Sequence, residues 1–488
     1  MSHFLDRFFS PDSIAIVGAT NNPHKLNYQI AGNLINLGFK GKVYPVNPKA
    51  KEIMGIRAFG RLQEIPDQID LVVAAVPAPR TLDIVKDCDQ IGVKRVVIVA
   101  GGFAEGGPQG QELNRELASF IRERGIRILG PNTLSPVNAA INLAISFQSI
   151  KKMRPGDISF VFQSGFYEAR LNWIFSHYGV NKLLDTGNKL DINEVDALEY
   201  FSQDPGTRVI AMHVEGLRGN GREFFDLLKK ISREKPTIIL KSGVTQAGSL
   251  AAASHTGSMA GENDVIFDGM IKQTAAIRAQ TLEDFFDLAK AFQLLDLPQG
   301  NRLAIITFSG GLGVMAADHC VMNGLRLARM SRGTTQNLKK IFPPWDIPVN
   351  PLDAGACIAF HASNLLDFFK TVFEITRDPN VDCTVIMLPA LSVILESSPG
   401  PEFHGVRTTT FRDQFTHLLA NMKQDGKPFA LWRGRMDREE DEWAEVIEST
   451  HGIPVFNSAE SAIKAFGAMN RYRLKKEFLR SDRFVQHN

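Results

Sequence analysis

The 488-residue sequence contains little cysteine and no long apolar run, and these shortages exclude several classes of protein. The four cysteines are scattered and no CxxC pair occurs, which argues against a zinc site and against a disulfide framework. No apolar stretch approaches the roughly 20 residues needed to span a bilayer, and the first residues, MSHFLDRFFSPDS, do not resemble a signal peptide. We therefore expect a cytoplasmic protein that is not embedded in a membrane.

An excess of charge of one sign is also missing. The formal net charge is +2, so neither nucleic acid nor a membrane surface is an expected partner. The chain has no GxxxxGK[ST] loop for ATP and no GxSxG elbow for a serine hydrolase. No metal site is predicted, because no set of His, Cys and carboxylates stands at ligand spacing.

The chain does contain many short apolar runs that alternate with longer amphipathic segments. Runs such as SIAIVGA, DLVVAAVP and RVVIVAGG are typical of strands buried on both faces, as in parallel sheets covered by helices. The pattern predicts an α/β fold with a Rossmann-like first domain followed by two flavodoxin-like parallel-sheet domains. The predicted boundaries are 1–145, 150–297 and 298–475, with a C-terminal tail at 476–488.

An internal repeat supports the two flavodoxin-like domains. GDISFVFQSG is echoed by NRLAIITFSGG, and EKPTIILKSG is echoed by GKPFALWRG. The first copy has extra residues between Lys241 and Ile277, and these include GSLAAASHTGSMAG with His255. A loop added to a repeated scaffold is a common place for the chemistry of a site, so His255 becomes a catalytic candidate.

His255 could act as a general base, as a metal ligand or as a nucleophile that carries phosphate, and a surface histidine is the alternative. A metal ligand is disfavoured by the missing partners. A nucleophilic imidazole usually needs a group that fixes its second nitrogen, and Glu215 of AMHVEG is the natural partner. His213 of the same strand is predicted to be a core or strand-edge residue.

Two loops resemble anion sites at the beginnings of helices. FQSGFYEAR and TFSGGLGVMAAD each place Ser and Gly where a helix begins, and the free N–H groups there bind phosphate. Close packing of a helix on a strand is the alternative reading. The phosphate-binding candidates are Ser164, Gly165, Ser309, Gly310 and Gly311.

The first domain has a turn, AIVGATNNPHKLN, that lacks the GxGxxG spacing. Its second strand ends in VYPVNPK without the acidic residue that binds a ribose, so the pattern argues against NAD, while Lys49 suits a phosphate. A nucleotide-like ligand at the strand ends is expected, and a turn without a ligand is the alternative. The candidate residues are Gly18, Ala19, Thr20, Asn47, Lys49, Val76, Pro77, Gly102, Phe103, Glu105 and Asn132.

Taken together, these motifs resemble the α-subunit of NDP-forming acyl-CoA synthetases, the ADP-forming acetate–CoA ligases related to succinyl-CoA synthetase. The resemblance covers nearly the whole chain through SIAIVGAT, GKVYPVNPKA, GIRILGPN, QSG, GNKLDINEVDALEYFSQDP, SHTGS, FSGGLGV and NPLD. It implies that the first domain binds coenzyme A, that His255 is phosphorylated and that Glu215 orients it. It further implies that ADP or ATP and Mg²⁺ bind to a separate ATP-grasp β-subunit in an α2β2 assembly, and that the His255 loop swings between sites.

The sequence departs from the family at QSGF, where QSGG or QSGA is usual. Phe166 and Tyr167 therefore place two rings where small residues are expected, and we expect them to shape the acyl site. Two alternatives to the ligase remain open. One is a CoA-binding regulatory protein without a phosphohistidine, and the other is an acyl- or carbamoyltransferase on the same scaffold.

Overall fold

A computed structural model describes residues 3–256, 264–361, 365–389, 408–424, 426–434 and 438–485. The chain divides into two compact units, Met1–Phe285 and Phe286–Asn488. Among the described residues, the first unit contains two large sheets and the second unit contains one.

The first sheet is parallel and its strands are buried on both faces. Alternate residues enter two cores: Ile14 and Ile16 pack in one with Leu34, whereas Ala15 and Val17 belong to the other. This explains why the strand sequences are continuous apolar runs. The strands are β1 (Ser13–Val17), β2 (Lys42–Val46), β3 (Glu52–Ile53), β4 (Ile56–Arg57), β5 (Leu71–Ala74), β6 (Arg95–Ile98) and β7 (Arg127–Leu129), in the order β2-β1-β5-β6-β7, with β3 and β4 as a separate antiparallel pair.

The second sheet has seven strands, of which five consecutive ones are parallel. The seven are β8 (Val137–Asn138), β9 (Leu143–Ala144), β10 (Pro155–Phe162), β11 (Val180–Asp185), β12 (Val209–Val214), β13 (Thr237–Lys241) and β14 (Ile277–Ala279), in the order β14-β13-β12-β10-β11-β8-β9. The parallel strands are those from β14 to β11 in this order. The short antiparallel strands β8 and β9 come from residues that precede position 145. The second sheet therefore takes strands from the segment that the sequence assigns to the first domain.

The third sheet, in the second unit, repeats the strand order of the second. Its strands are β15 (Arg302–Thr307), β16 (Arg326–Leu327), β17 (Leu352–Asp353), β18 (Cys383–Met387), β19 (Phe429–Trp432) and β20 (Val455–Phe456), in the order β16-β15-β18-β19-β20 with β17 beside β15. The order β11-β10-β12-β13-β14 corresponds to it strand for strand. The predicted α/β class with two related parallel-sheet domains is confirmed.

Helices connect the strands. In the first unit they are Asp6–Phe9, Tyr28–Asn36, Thr81–Gln90, Gly107–Arg124, Leu171–His177, Glu194–Gln203, Gly221–Ile231, Gln246–Thr256 and Asp264–Lys272, with 3-10 helices at Leu62–Glu64, Ala78–Arg80, Ala139–Ile141 and Gly165–Arg170. Leu282–Leu294 spans the border between the units. In the second unit they include Gly310–Met322, Arg332–Lys339, Ala354–His361, Leu365–Arg377, Thr408–Lys423, Arg438–His451 and Ala459–Val485. The last of these extends through most of the segment predicted as a tail.

The strand orders locate the edges where ligands bind. In an open α/β sheet, ligands bind outside the carboxyl ends of the strands at the point where the order reverses. That point lies between β1 and β5 in the first sheet, between β10 and β12 in the second and between β15 and β18 in the third. None of the helices in the described ranges is long and apolar enough to cross a membrane.

Candidate functional site

The turn after β1 is fixed at the ligand edge of the first sheet. Gly18 has φ +93°, and a Cβ there would lie 2.4 Å from the Ala75 carbonyl oxygen, so only glycine fits. The Asn27 amide donates to the Gly18 carbonyl at 2.6 Å. The Asn47 amide, after β2, donates to the Ala19 carbonyl at 2.8 Å. Three of the predicted residues thus hold the loops of β1 and β2 together.

The remaining candidates of these two loops differ in exposure. Thr20 is buried, and its hydroxyl accepts a hydrogen bond from the Asn22 amide at 3.1 Å. Lys49 is exposed, and its backbone amide donates to the Asn47 side chain at 2.9 Å. The Lys49 ammonium therefore stands in solvent beside the loop, where a phosphate can reach it.

A cleft of ≈ 430 Å³ lies at the same edge. Three predicted residues line it, Val76, Pro77 and Asn132, the last with φ +60°. The sequence did not single out the other lining residues, which are Lys25, Leu26, Asn27, Ala75, Val99, Ala100, Gly101 and Phe147. Asn27 and Lys25 belong to the turn that the sequence did identify, whereas Phe147 follows β9 and carries no local signal.

Glu105 joins the first sheet to the second. Its carboxylate accepts from the Gly102 amide at 2.7 Å and from the Asn188 side-chain amide at 2.6 Å. Arg218 in turn donates to the Asn188 carbonyl at 2.8 Å. Phe103, by contrast, is buried in the core of the first sheet. Glu105 therefore connects the ligand edge of the first sheet to the Arg218 segment, which follows β12.

Ser164 and Gly165 lie at the reversal point of the second sheet, directly after β10. Ser164 precedes the 3-10 helix Gly165–Arg170, and its hydroxyl makes no capping hydrogen bond. A Cβ at Gly165 would meet open space within 4 Å. The predicted helix beginning is therefore a short 3-10 turn that continues into Leu171–His177, and it leaves room for a ligand beside the glycine.

Glu215 follows β12 on the other side of the same reversal point, and its backbone is held firmly. The Gln163 side-chain oxygen accepts from the Glu215 amide at 2.7 Å and from the Gly216 amide at 3.3 Å. Two buried ammonium groups reach the same turn: Lys241 donates to the Glu215 carbonyl at 2.8 Å and Lys189 to the Gly216 carbonyl at 2.6 Å. The sequence missed these three side chains, although lysine at the end of the apolar run TIILK is a visible signal.

Lys189 also forms a buried ion pair with Glu194. The Nζ–Oε2 distance is 2.7 Å, and the two side chains are 3% and 1% exposed. The second carboxylate oxygen of Glu194 accepts from the Arg218 amide at 2.6 Å. This buried charge pair therefore holds the turn that follows Glu215, at the Gly216 carbonyl and the Arg218 amide.

His213 is buried, which confirms its predicted place in the core. Its Nε2 lies 2.7 Å from the Ser242 hydroxyl. Burial lowers the pKa of His213 to about 3, and the charges of Lys189 and Lys241 act in the same direction. The imidazole is therefore neutral at physiological pH, and it anchors the beginning of the segment that leads to His255.

The backbone of His255 lies in the helix Gln246–Thr256. The sequence predicts a loop here, and the helix is explained by alanines, which have the highest helix propensity. The helix follows Ser242 and Gly243, and Gly243 has φ +70°. The side chain of His255 and its pairing with Glu215 lie outside the described residues, as do residues 257–263.

The two rings of QSGF have different surroundings. Tyr167 is fully buried, stacks on Phe162 with ring centroids 4.5 Å apart and donates to the Leu134 carbonyl at 2.7 Å. Phe166 is half-buried, and its ring meets His213 edge-on at 4.8 Å. Of the two, Phe166 lies where it can touch a ligand, whereas Tyr167 is part of the core in this structure.

Ser309, Gly310 and Gly311 lie at the corresponding point of the third sheet. Ser309 precedes the helix Gly310–Met322, and its hydroxyl makes no capping hydrogen bond. A Cβ at Gly311 would meet open space, whereas one at Gly310 would lie 3.1 Å from an Asp353 carboxylate oxygen. This helix beginning is open at Gly311 and carries a carboxylate beside Gly310.

The described part of the chain offers no evident ligand set for a metal ion. Within the described ranges, no group of three or more His, Cys, Asp or Glu side chains is arranged to hold one. The four cysteines are buried.

Models of three protein families match segments of the chain that contribute strands to the three sheets. Residues 12–138 match the model of a CoA binding domain, 155–292 that of the succinyl-CoA ligase like flavodoxin domain, and 303–383 that of a ligase-CoA domain. The predicted succession of a CoA-binding domain and flavodoxin-like ligase domains is confirmed.

Three proteins are similar over almost the entire chain. The ADP-forming acetate–CoA ligase II subunit alpha of Pyrococcus furiosus is 35% identical over 468 residues, which are 95% of this chain and 97% of that protein. The ADP-forming acetate–CoA ligase II of Archaeoglobus fulgidus is 32% identical, covering 97% of this chain and 67% of its own. The dinucleotide-forming acetyl-coenzyme A synthetase 1 of Candidatus Korarchaeum cryptofilum, solved with phosphate and ADP, has a TM-score of 0.84 at 31% identity and 98% coverage of both chains.

Proposed function

The chain belongs to the family of ADP-forming acetate–CoA ligases, and from this premise we propose that it is the α-subunit of an acid–CoA ligase that works through a phosphohistidine. Similarity over 95% of the chain to a protein named as an alpha subunit supports this assignment. The CoA-binding domain match supports coenzyme A as substrate.

The proposed reaction has three reversible steps. Inorganic phosphate attacks the thioester carbonyl of acyl-CoA, and the C–S bond breaks to give acyl phosphate and the free CoA thiol. An imidazole nitrogen of His255 then takes the phosphoryl group, and the carboxylic acid leaves. The phosphohistidine finally transfers its phosphoryl group to ADP and forms ATP.

One observation carries this proposal. The Ser164–Gly165 loop and the Glu215 turn follow β10 and β12, the two strands of one reversal point. The segment that leads to His255 follows the next strand, β13, and its Ser242 hydrogen-bonds to His213 of β12. Gln163 and Lys241 hydrogen-bond to the Glu215 backbone, so the carboxylate stands on a rigid turn. A carboxylate in that place can accept the imidazole N–H and fix its tautomer, while the amides after Ser164 can hold the phosphoryl oxygens.

The same scheme assigns roles to the other candidates. Coenzyme A would occupy the cleft beside Val76, Pro77 and Asn132, with Lys49 near its phosphates. Ser309, Gly310 and Gly311 would offer a second phosphoryl site on the second unit. We propose that the nucleotide and Mg²⁺ bind to an ATP-grasp β-subunit in an α2β2 assembly, which works in the cytoplasm.

The release of coenzyme A tests the proposal. The full chain, mixed with phosphate and an excess of acyl-CoA in the absence of ADP, should release one equivalent of thiol per chain, because the phosphoryl group stays on His255. A thiol reagent such as Ellman's measures this burst. The free carboxylic acid, separated by chromatography from a radiolabelled acyl-CoA, is measured beside the thiol, because only the transfer to His255 releases it. His255→Ala can still form acyl phosphate and thiol but should lose the stoichiometric burst of free acid, and Glu215→Gln should slow that burst. A burst of free acid of the same size in His255→Ala would refute the phosphohistidine.

A further inference from the structure

The cleft at the ligand edge of the first sheet is lined in part by a ring from outside that sheet. Most of its lining follows β1, β5, β6 and β7, but Phe147 follows β9, a strand of the second sheet. We propose that Phe147 limits the size of the acyl group that the enzyme accepts, an inference that rests on the proposed function.

The segment that carries Phe147 is clamped from one side by Asn33. This side chain, 2% exposed, donates through Nδ2 to the Ser146 carbonyl at 3.2 Å and to the Gln148 carbonyl at 2.9 Å. Its oxygen accepts from the Ile150 amide at 3.0 Å. A buried amide with three such bonds holds the backbone on both sides of Phe147 in one conformation.

Glu168 clamps the segment from the other side. The Ser146 hydroxyl donates to the Glu168 carboxylate at 2.8 Å and accepts from the Gln148 amide at 2.9 Å. Glu168 belongs to the 3-10 helix that begins after Ser164. The Ser164 loop and the Phe147 ring are therefore joined through one short turn and one hydrogen-bonded side chain.

This connection places Phe147 where the acyl group has to lie. The thioester sulfur belongs to the coenzyme A in the cleft, and phosphate at the Ser164 loop must reach the thioester carbonyl. The acyl chain therefore lies between the cleft and the Ser164 loop. The walls next to Phe147 are apolar, with Leu26, Val76 and Pro77 among them. An acyl chain that grows from the thioester therefore meets the Phe147 ring, and each methylene that does not fit costs about 10-fold or more in specificity.

The test compares acetyl-CoA with phenylacetyl-CoA in single-turnover thiol release by the full chain together with its partner subunit. Phe147→Ala should shift the ratio of second-order rate constants toward phenylacetyl-CoA by about 10-fold or more, Phe147→Leu by less, and Phe147→Trp in the opposite direction. Phe120→Ala is the matched control, because this phenylalanine is also half-buried and lies on the helix Gly107–Arg124. Its ratio should stay within about twofold of the wild type.

A second pair of variants tests the positioning role of Glu168. Glu168→Ala removes the acceptor for Ser146 and should relax the acyl preference in the same direction as Phe147→Ala. Glu168→Gln keeps an oxygen acceptor for Ser146 and should show the wild-type ratio of rate constants. If the effect of Glu168→Ala came only from a general loss of stability, keeping this acceptor would not restore the ratio.

Several results would overturn the inference. One is a ratio of rate constants for the two acyl-CoAs that stays unchanged in both Phe147→Ala and Phe147→Leu. Another is a ratio that shifts in Phe166→Ala but not in Phe147→Ala. If Phe147→Ala weakened the binding of acetyl-CoA, phenylacetyl-CoA and free CoA equally, the ring would contact the coenzyme A moiety and not the acyl group. In each case the wild type still releases its stoichiometric thiol. A wild type that releases none with either acyl-CoA would refute the proposed function itself.

Discussion

Replacing Glu168 with glutamine should change how the stability of the chain depends on pH. Glu168 is 7% exposed. Burial raises its pKa from 4.5 to about 7, and the charge of Asp185 acts in the same direction, whereas the hydrogen bond from Ser146 opposes it. The folded chain therefore holds this proton more tightly than the unfolded chain does.

The size of the effect follows from the two pKa values. Below pH 4.5 the carboxyl group is protonated in both states and costs nothing. As the pH rises from 4.5 to about 7, the folded state keeps a proton that the unfolded state has lost, so the stability falls; above pH 7 both states are ionised and the loss is complete. At about 1.36 kcal/mol per pKa unit, the free energy of unfolding loses about 2.5 kcal/mol between pH 5 and pH 8 because of this one group.

Glutamine can accept the Ser146 hydrogen bond without carrying a charge, so Glu168→Gln should remove this loss. The variant should melt close to the wild type at pH 5 and about 5 °C above it at pH 8, since about 2 °C corresponds to 1 kcal/mol in a unit of this size. Differential scanning calorimetry across this pH range measures the difference. Glu116→Gln, at an exposed glutamate, is the control and should show no such trend. A difference in melting temperature that is the same at pH 5 and pH 8 would refute the reasoning.

Three further substitutions test other contacts. Lys189→Met leaves the buried Glu194 carboxylate without its cation and should cost about 3–5 kcal/mol in urea unfolding; adding Glu194→Gln should recover most of it, and no recovery would contradict the pairing. Gly18→Ala should abolish CoA binding in calorimetry because its Cβ meets backbone, whereas Gly38→Ala, with φ +72° but open space, should retain it. Tyr167→Phe should cost about 1 kcal/mol and keep the acyl-CoA ranking; an altered ranking would place this ring in the acyl site.

The sequence predicts the loops that follow β10 and β15 because their signals are local. An apolar strand followed by Ser and Gly identifies the loops at Ser164 and Ser309, and both follow strands at reversal points. The repeat predicts two related sheets, and the strand orders agree. These features depend on residues that are neighbours along the chain.

Other features depend on residues that are far apart along the chain. The motif GGFAEG predicts that Glu105 contacts a ligand, but the Glu105 carboxylate accepts a hydrogen bond from Asn188, 83 positions later. Phe147 joins the cleft only because Asn33, more than 100 positions earlier, holds its segment. Tyr167 reads as a ring beside the site, and the structure buries it because the strand residue Phe162 offers a stacking partner. A local pattern contains none of these pairings.

The central claim is that His255 carries the phosphoryl group, and direct labelling tests it. The full chain is incubated with acyl-CoA and ³²P-labelled phosphate, and the label on the protein is measured after acid and after base treatment. The wild type should take up label that is lost in acid and retained in base, located by peptide mapping at His255, with none on His255→Ala and slower uptake on Glu215→Gln. Equal labelling of His255→Ala, or no label on the wild type with acetyl-CoA and a range of longer acyl-CoAs, would contradict the account.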